Sequence, residues 1–244
     1  MKKFYLSLLL ILLHTLSNSQ PVVGRTEETR DLYASAKKYL HAADYANAIM
    51  VFNQVIQLEP DNLIYRKELA KAYYQYGDLA KAERMIVPLL KQDEADEETF
   101  QLATKILAGM KKDEDAKDAI NKGIQRYPNA GVLYLEKGNL LTDQKKFADA
   151  AKAWEKGIQK DPRFHLNYYN LAKVYFFTKK YIWAIYYGEM FVNMESFSAK
   201  SSEIKKIVFE GYKFLMAELN NFALDGKVGR YQNASNFETA LLSV

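Results

Sequence analysis

No cysteine occurs anywhere in the 244 residues. That excludes disulfides, thiolate metal sites, cysteine nucleophiles and lipid attachment to an N-terminal cysteine. Proline and glycine are scarce, at 5 and 11 residues, so long helices are permitted and a loop-rich fold is disfavoured. Only three histidines are present. His14 lies in the N-terminal apolar segment, and His41 and His165 stand too far apart along the chain to share a metal in an elongated fold. The sequence contains no P-loop, no G-x-G-x-x-G, no H-E-x-x-H and no G-x-S-x-G. Asp113, Glu114 and Asp115 miss the calcium-loop spacing and read as a solvated turn. Neither a catalytic residue, a metal nor a cofactor is expected, and the chain reads as a non-enzyme.

Hydrophobic residues make up 49% and charged residues 26%, a globular composition. A long apolar run occurs at the start. Lys2 and Lys3 precede Phe4 to Leu13, and Ser17-Asn18-Ser19 then supplies small residues before Gln20. This is the layout of a secretory signal peptide, residues 1–19, with an apolar run too short to span a bilayer comfortably. Export to the periplasm or cell envelope is the expectation. Loss of the two lysines takes the net charge from +4 to +2. A nearly neutral chain gives no case for nucleic acid, and membrane association is expected only through a partner.

After a polar leader at 20–28, one pattern recurs every 34 residues. The units run 29–62, 63–96, 97–130, 131–164 and 165–198. Position 20 of each is alanine: Ala48, Ala82, Ala116, Ala150 and Ala184. Position 8 is small (Ala36, Ala70, Thr104, Gly138, Ala172) and position 11 large (Tyr39, Tyr73, Leu107, Leu141, Tyr175). Two helices crossing at close range need such an alternation. Position 24 is Phe52, Ile86, Ile120 and Trp154, but Gly188 in the divergent fifth unit. Pro60, Pro128 and Pro162 close three of the units. Thr29 or Asp31 would cap the first helix. Pro88 falls within the second helix of unit 2 and should kink it. Unit 3 has Lys111-Lys112-Asp113 where unit 2 turns through Gly77-Asp78.

The period and its Tyr…Ala-x3-Phe…Pro signature resemble the tetratricopeptide (TPR) repeat, and the chain is similar to bacterial exported and periplasmic proteins of that family. The resemblance implies an all-α, right-handed α-solenoid of helix-turn-helix repeats. Beyond Ser198, Ile204, Ile207, Val208, Gly211 and Leu215 form one helical face. Residues 199–222 are therefore expected as a capping helix, started by Ser201 or Ser202, with an irregular tail at 223–244.

In the TPR family, first-helix positions 2, 5, 9, 12 and 13 line the concave face. Position 9 here reads Lys37, Lys71, Lys105, Asn139 and Lys173. Tyr33, Lys67, Tyr74, Tyr169, Asn170, Phe176 and Phe177 accompany them as candidate groove residues. Along the full stripe stand six basic residues (Arg30, Lys37, Lys67, Lys71, Lys105, Lys173) against two acids, Glu98 and Asp143. Such a face suits an extended acidic or carboxylate-bearing peptide with aromatic anchors. Asn139 and Asn170 match two asparagines of the family's carboxylate clamp, and Lys200 stands at its later lysine. Leu135 and Ile204 replace a lysine and an arginine of the clamp, so that activity is not carried over. Trp183 and Tyr186 form a candidate second surface on the outer side. The expected function is a non-catalytic scaffold binding a protein or peptide partner, with no nucleic acid and no small-molecule substrate. Two alternatives are an outer-membrane assembly or secretion accessory using its convex face, and an interaction module of a longer enzyme.

Overall fold

A computed structural model of the chain describes residues 23–224, with side chains to residue 218. The expected signal segment and most of the expected tail lie outside the described residues. Among the described residues every regular element is helical. They fall into two compact units, residues up to 94 and residues from 95.

The first unit holds α1 (Glu27–His41), α2 (Tyr45–Leu58), α3 (Leu63–Tyr76) and α4 (Leu79–Ile86). Helix α1 begins earlier than Thr29. Thr26 is its N-cap, accepting from the Thr29 backbone N–H while the Thr29 hydroxyl accepts from the Thr26 N–H. A reciprocal cap satisfies two donors that a lone cap at Thr29 or Asp31 would leave open. Asp44, Asn62 and Asp78 cap α2, α3 and α4. Glu59, almost fully buried, ties the leader to this unit, accepting from Arg25 N–H, the Thr29 hydroxyl and Asn62 Nδ2. Burial alone would raise its pKa, but these hydrogen bonds outweigh burial and lower it. Pro88 does more than kink its helix: α4 stops at Ile86 and a 3-10 segment runs Val87–Lys91. Proline lacks the N–H an α-helix needs there but fits the first turn of a new segment.

The second unit holds α5 (Glu97–Gly109), α6 (Asp113–Arg126), α7 (Gly131–Asp143), α8 (Phe147–Lys160), α9 (Leu166–Phe177), α10 (Tyr181–Met194) and α11 (Ala199–Leu224). All five position-20 alanines, across both units, are fully buried. The small position 8 is enforced sterically at Gly138. A Cβ there would lie 2.0 Å from Trp154 Nε1, and that indole N–H donates to Leu135 O at 3.1 Å.

Each hairpin turns the same way. Ala43, Gly77, Lys111, Lys145 and Lys179, all at position 15, have φ between 57° and 92°. The next residue's N–H then reaches back to the position-11 carbonyl in every case, as in Lys112 to Leu107 at 2.9 Å and Lys180 to Tyr175 at 2.8 Å. This is the Schellman closure, and it holds a left-handed residue whatever its side chain. Hence the Lys-Lys turn of unit 3 and the Gly-Asp turn of unit 2 have one geometry.

Helix α11 covers α10 as the sequence predicts, with Ile204 fully buried and Ile207 and Val208 against Phe191, Tyr168 and Ala172. Its cap is neither Ser201 nor Ser202. Ser198 accepts from Ser201 N–H while the buried Ser201 hydroxyl accepts from Ser198 N–H. Gly188, the odd member at position 24, is explained here: a Cβ would sit 2.5 Å from Val208 Cγ2, so its absence admits α11.

Candidate functional site

In the second unit an open cleft of about 430 Å³ lies between the first helices α7 and α9. Asn139, Thr142 and Asp143 come from α7, Phe147 and Trp154 from α8, and Asn170, Lys173, Val174 and Phe177 from α9. Helical period puts Asn170, Lys173, Val174 and Phe177 on one face of α9. Trp154, nearly buried, sits at the base, and Phe147 and Phe177 meet at the rim with ring centroids 5.2 Å apart. Phe177 is 69% exposed. One wall therefore offers apolar surface to whatever enters.

The opposite chemistry is polar and runs from helix to helix. Asn170 Nδ2 donates to Asn139 Oδ1 at 2.9 Å, and Asn139 Nδ2 donates to Glu136 Oε2 at 3.2 Å. Glu136 in turn accepts from Gln101 and pairs with Lys105 at 3.2 Å. Lys173 pairs with Glu203 of α11 at 2.8 Å and donates to the Tyr169 hydroxyl, which itself donates to Glu203. The Lys173 and Tyr169 hydrogen bonds hold Glu203 below the usual carboxylate range. Burial alone would lower Lys173, yet the bonds to Glu203 and Tyr169 raise it. Burial and the Glu203 contact push Tyr169 up.

The predicted groove residues divide accordingly. Asn139, Asn170, Lys173 and Phe177 come together in the cleft. Phe176 instead packs on Tyr181 and Phe214, and Tyr169 on Phe191. In the first unit Tyr33 rests against Phe52 and Tyr65 in the core, while Lys67, Lys71 and Tyr74 are half-buried on α3. Lys37 pairs with buried Glu68 at 2.7 Å, and Arg30 donates to the Gly24 carbonyl.

The excess of positive charge counted along the stripe is thus offset. Lys37, Lys105 and Lys173 each meet a carboxylate of the next first helix: Glu68, Glu136 and Glu203. Glu68 and Glu136 stand at position 6, just off the family's groove positions, and Glu203 stands in the capping helix beyond the five units counted, so the count passes over all three. The recurrence of Glu68 and Glu136 in phase with Lys37 and Lys105 was the available signal. Phe147 and Trp154 were also missed as site residues, because they belong to a second helix. Trp183 is half-buried among Tyr175, Tyr186 and Tyr187, and Tyr186 is exposed. The cover over Trp183 comes from Tyr175 of α9.

Among the described residues no three His, Asp or Glu side chains stand together as a metal site, and no helix is long and apolar enough to cross a membrane.

Fold and site define a class, the helical-hairpin repeat proteins. Residues 39–106 match the tetratricopeptide repeat family, and the fold of the chain is that of tetratricopeptide-repeat structures. Over 69 residues, 25% of its length, it is 35% identical to serine/threonine-protein phosphatase 5 of Rattus norvegicus and of Homo sapiens. It spans only 14% of those relatives. Among solved structures it is similar to PilF of Pseudomonas aeruginosa, at TM-score 0.61 and 18% identity, over 89% of this chain and 98% of that one. Yeast Tom70 is similar at TM-score 0.64 and 16% identity, over 76% of this chain and 40% of that one. A thermophilic TPR protein of Thermus thermophilus gives TM-score 0.62 at 11% identity, over 75% of this chain and 98% of that one. At such identities the likeness is one of fold.

Proposed function

We propose that this chain is a non-catalytic protein–protein interaction scaffold of the bacterial cell envelope, holding an extended segment of a partner in the cleft between α7 and α9. The observation that carries the reading is the pairing of the Asn139–Asn170 amides with the Phe147–Phe177 wall across one open cleft. Side-chain amides present both donors and acceptors, the complement of a peptide main chain. The two phenyl rings suit an apolar or aromatic side chain of that segment. A carboxylate on the segment would meet a Lys173 whose charge is already paired with Glu203. Acidity is therefore a secondary preference, and binding should depend weakly on salt. Envelope placement rests on the lysine-flanked apolar segment and its small-residue site at residues 2–20.

The test is a photo-crosslinking residue at Thr142 in cells, with the adduct identified by mass spectrometry and its peptide synthesised. Phe177→Ala and Asn170→Ala should each weaken binding of that peptide about tenfold or more. An adduct formed equally from Tyr186, or a peptide indifferent to both substitutions, would reject the cleft and favour the convex-face reading.

A further inference from the structure

Of the large hydrophobic side chains exposed among the described residues, Tyr186, Met190, Met194, Phe197, Phe209, Tyr212, Phe214 and Met216 crowd into the last two helices and their connection. The register of the repeat gives part of that crowding a meaning. Phe209 falls 34 residues after Tyr175 and so occupies position 11, the large residue that a first helix turns toward its own second helix. Tyr175 does this against Trp183 and Tyr187, and the Tyr73 ring lies under Lys81. Phe209 remains 64% exposed.

The reason is that α11 does not turn. Every earlier hairpin reverses at position 15 through a left-handed residue. The corresponding Lys213 is helical, and α11 runs on to Leu224. Among the described residues the repeat thus supplies a first helix with no second helix packed on the face that its register assigns to one. Position 8 has also changed. Where five units carry Ala, Ala, Thr, Gly and Ala, α11 carries exposed Lys206. A helix seated there cannot approach as closely as a repeat's own second helix, and it must answer an ammonium. Lys205 and Lys213 flank the same face, Lys205 over the ring of fully exposed Phe197 and Lys213 over Phe209. Glu210 answers Lys213 at 3.0 Å.

We infer that this face is a docking site for an amphipathic α-helix of a partner protein, acidic along one flank, which takes the place that a second helix holds in the five units. An apolar stripe would cover Phe209, Tyr212 and Met216, which share one side of α11. Carboxylates on its flank would meet Lys205 and Lys206. A second copy of this chain fits less well, since two such faces would bring like-charged lysines together. The site is separate from the α7–α9 cleft, so the two readings stand or fall independently.

The probe is a stapled 14-residue peptide with the sequence of α6, Asp113 to Arg126, carrying Lys122→Glu, which with Asp115 and Asp118 makes one flank acidic. That helix already bears the Ala116–Ala119–Ile120–Gly123 face of a second helix. Against the full chain, binding should be saturable, and F209D should weaken it about tenfold or more. The double variant K205E/K206E should weaken it about fivefold at low salt and should prefer a peptide bearing lysines at 118 and 122. Unchanged thermal melting of these surface variants would show that folding is intact. Absence of saturable binding, or binding indifferent to F209D, overturns the inference. So does a dimer that F209D returns to monomer, vesicle binding that depends on Phe209, or peptide binding that appears only when the chain is ended at Leu224. These would assign the face to a second copy, to lipid, and to the chain's own C-terminal residues respectively.

Discussion

Lys111, Lys145, Lys179 and Ala43 hold left-handed backbone that a Cβ disfavours by about 1–2 kcal/mol. Replacing any of them by glycine should stabilise its unit by about 0.5–1 kcal/mol after the added unfolded-chain entropy is discounted, measured by urea denaturation. At Gly138 the sign reverses. Gly138→Ala forces a methyl into the Trp154 indole and should destabilise by about 1–3 kcal/mol, with loss of the native tryptophan fluorescence. Glu203 sets a pH dependence. Folding lowers its pKa through the Lys173 and Tyr169 hydrogen bonds, so its stabilisation is complete above the ordinary value of 4.5 and fades as the pH falls through the folded value. Glu59 acts in the same direction in the first unit. The stability difference between wild type and Glu203→Gln should therefore shrink on acidification below pH 4.5.

At the scale of elements, the helices were legible because their packing depends on residue size, which a 34-residue period displays directly. The alanines at position 20 and the alternation of positions 8 and 11 announce where helices cross, and the burial of Ala48 through Ala184 follows. The caps were read less well. Thr26 and Ser198 act as halves of reciprocal pairs with Thr29 and Ser201, and a lone Thr or Ser does not reveal which half it is. The cleft was legible in four residues of first helices, yet its floor and rim come from Phe147 and Trp154, which a stripe drawn on first helices alone cannot include. The lysines were located and their neutralisation was not, because Lys37–Glu68 and Lys105–Glu136 join neighbouring repeats. Those ion pairs are strongly asymmetric in exposure, with Glu68 and Glu136 buried. Lys105→Ala should consequently cost more stability than an exposed ion pair, about 1–3 kcal/mol, by leaving Glu136 short of a partner.

For the molecule as a whole, stability in a repeat protein is nearly a sum over units and the surfaces they share. Ending the chain after Ser198 uncovers Phe191, Gly188 and Ala172, which α11 now shields through Ile204 and Val208. The shortened chain should melt at a lower temperature, with a smaller denaturant m-value in proportion to the surface lost. Gly188 also limits how such a molecule can grow. Lengthening a repeat array by copying one unit works when the copy fits any neighbour. Unit 5 is tied to the capping helix instead: another unit in last place would bring a Phe, Ile or Trp to position 24, where even a Cβ lies 2.5 Å from Val208 Cγ2. Unit 4 carries both Gly138 and Trp154, so a copy of it keeps its own fit. The last repeat and its cap would have to be inherited together.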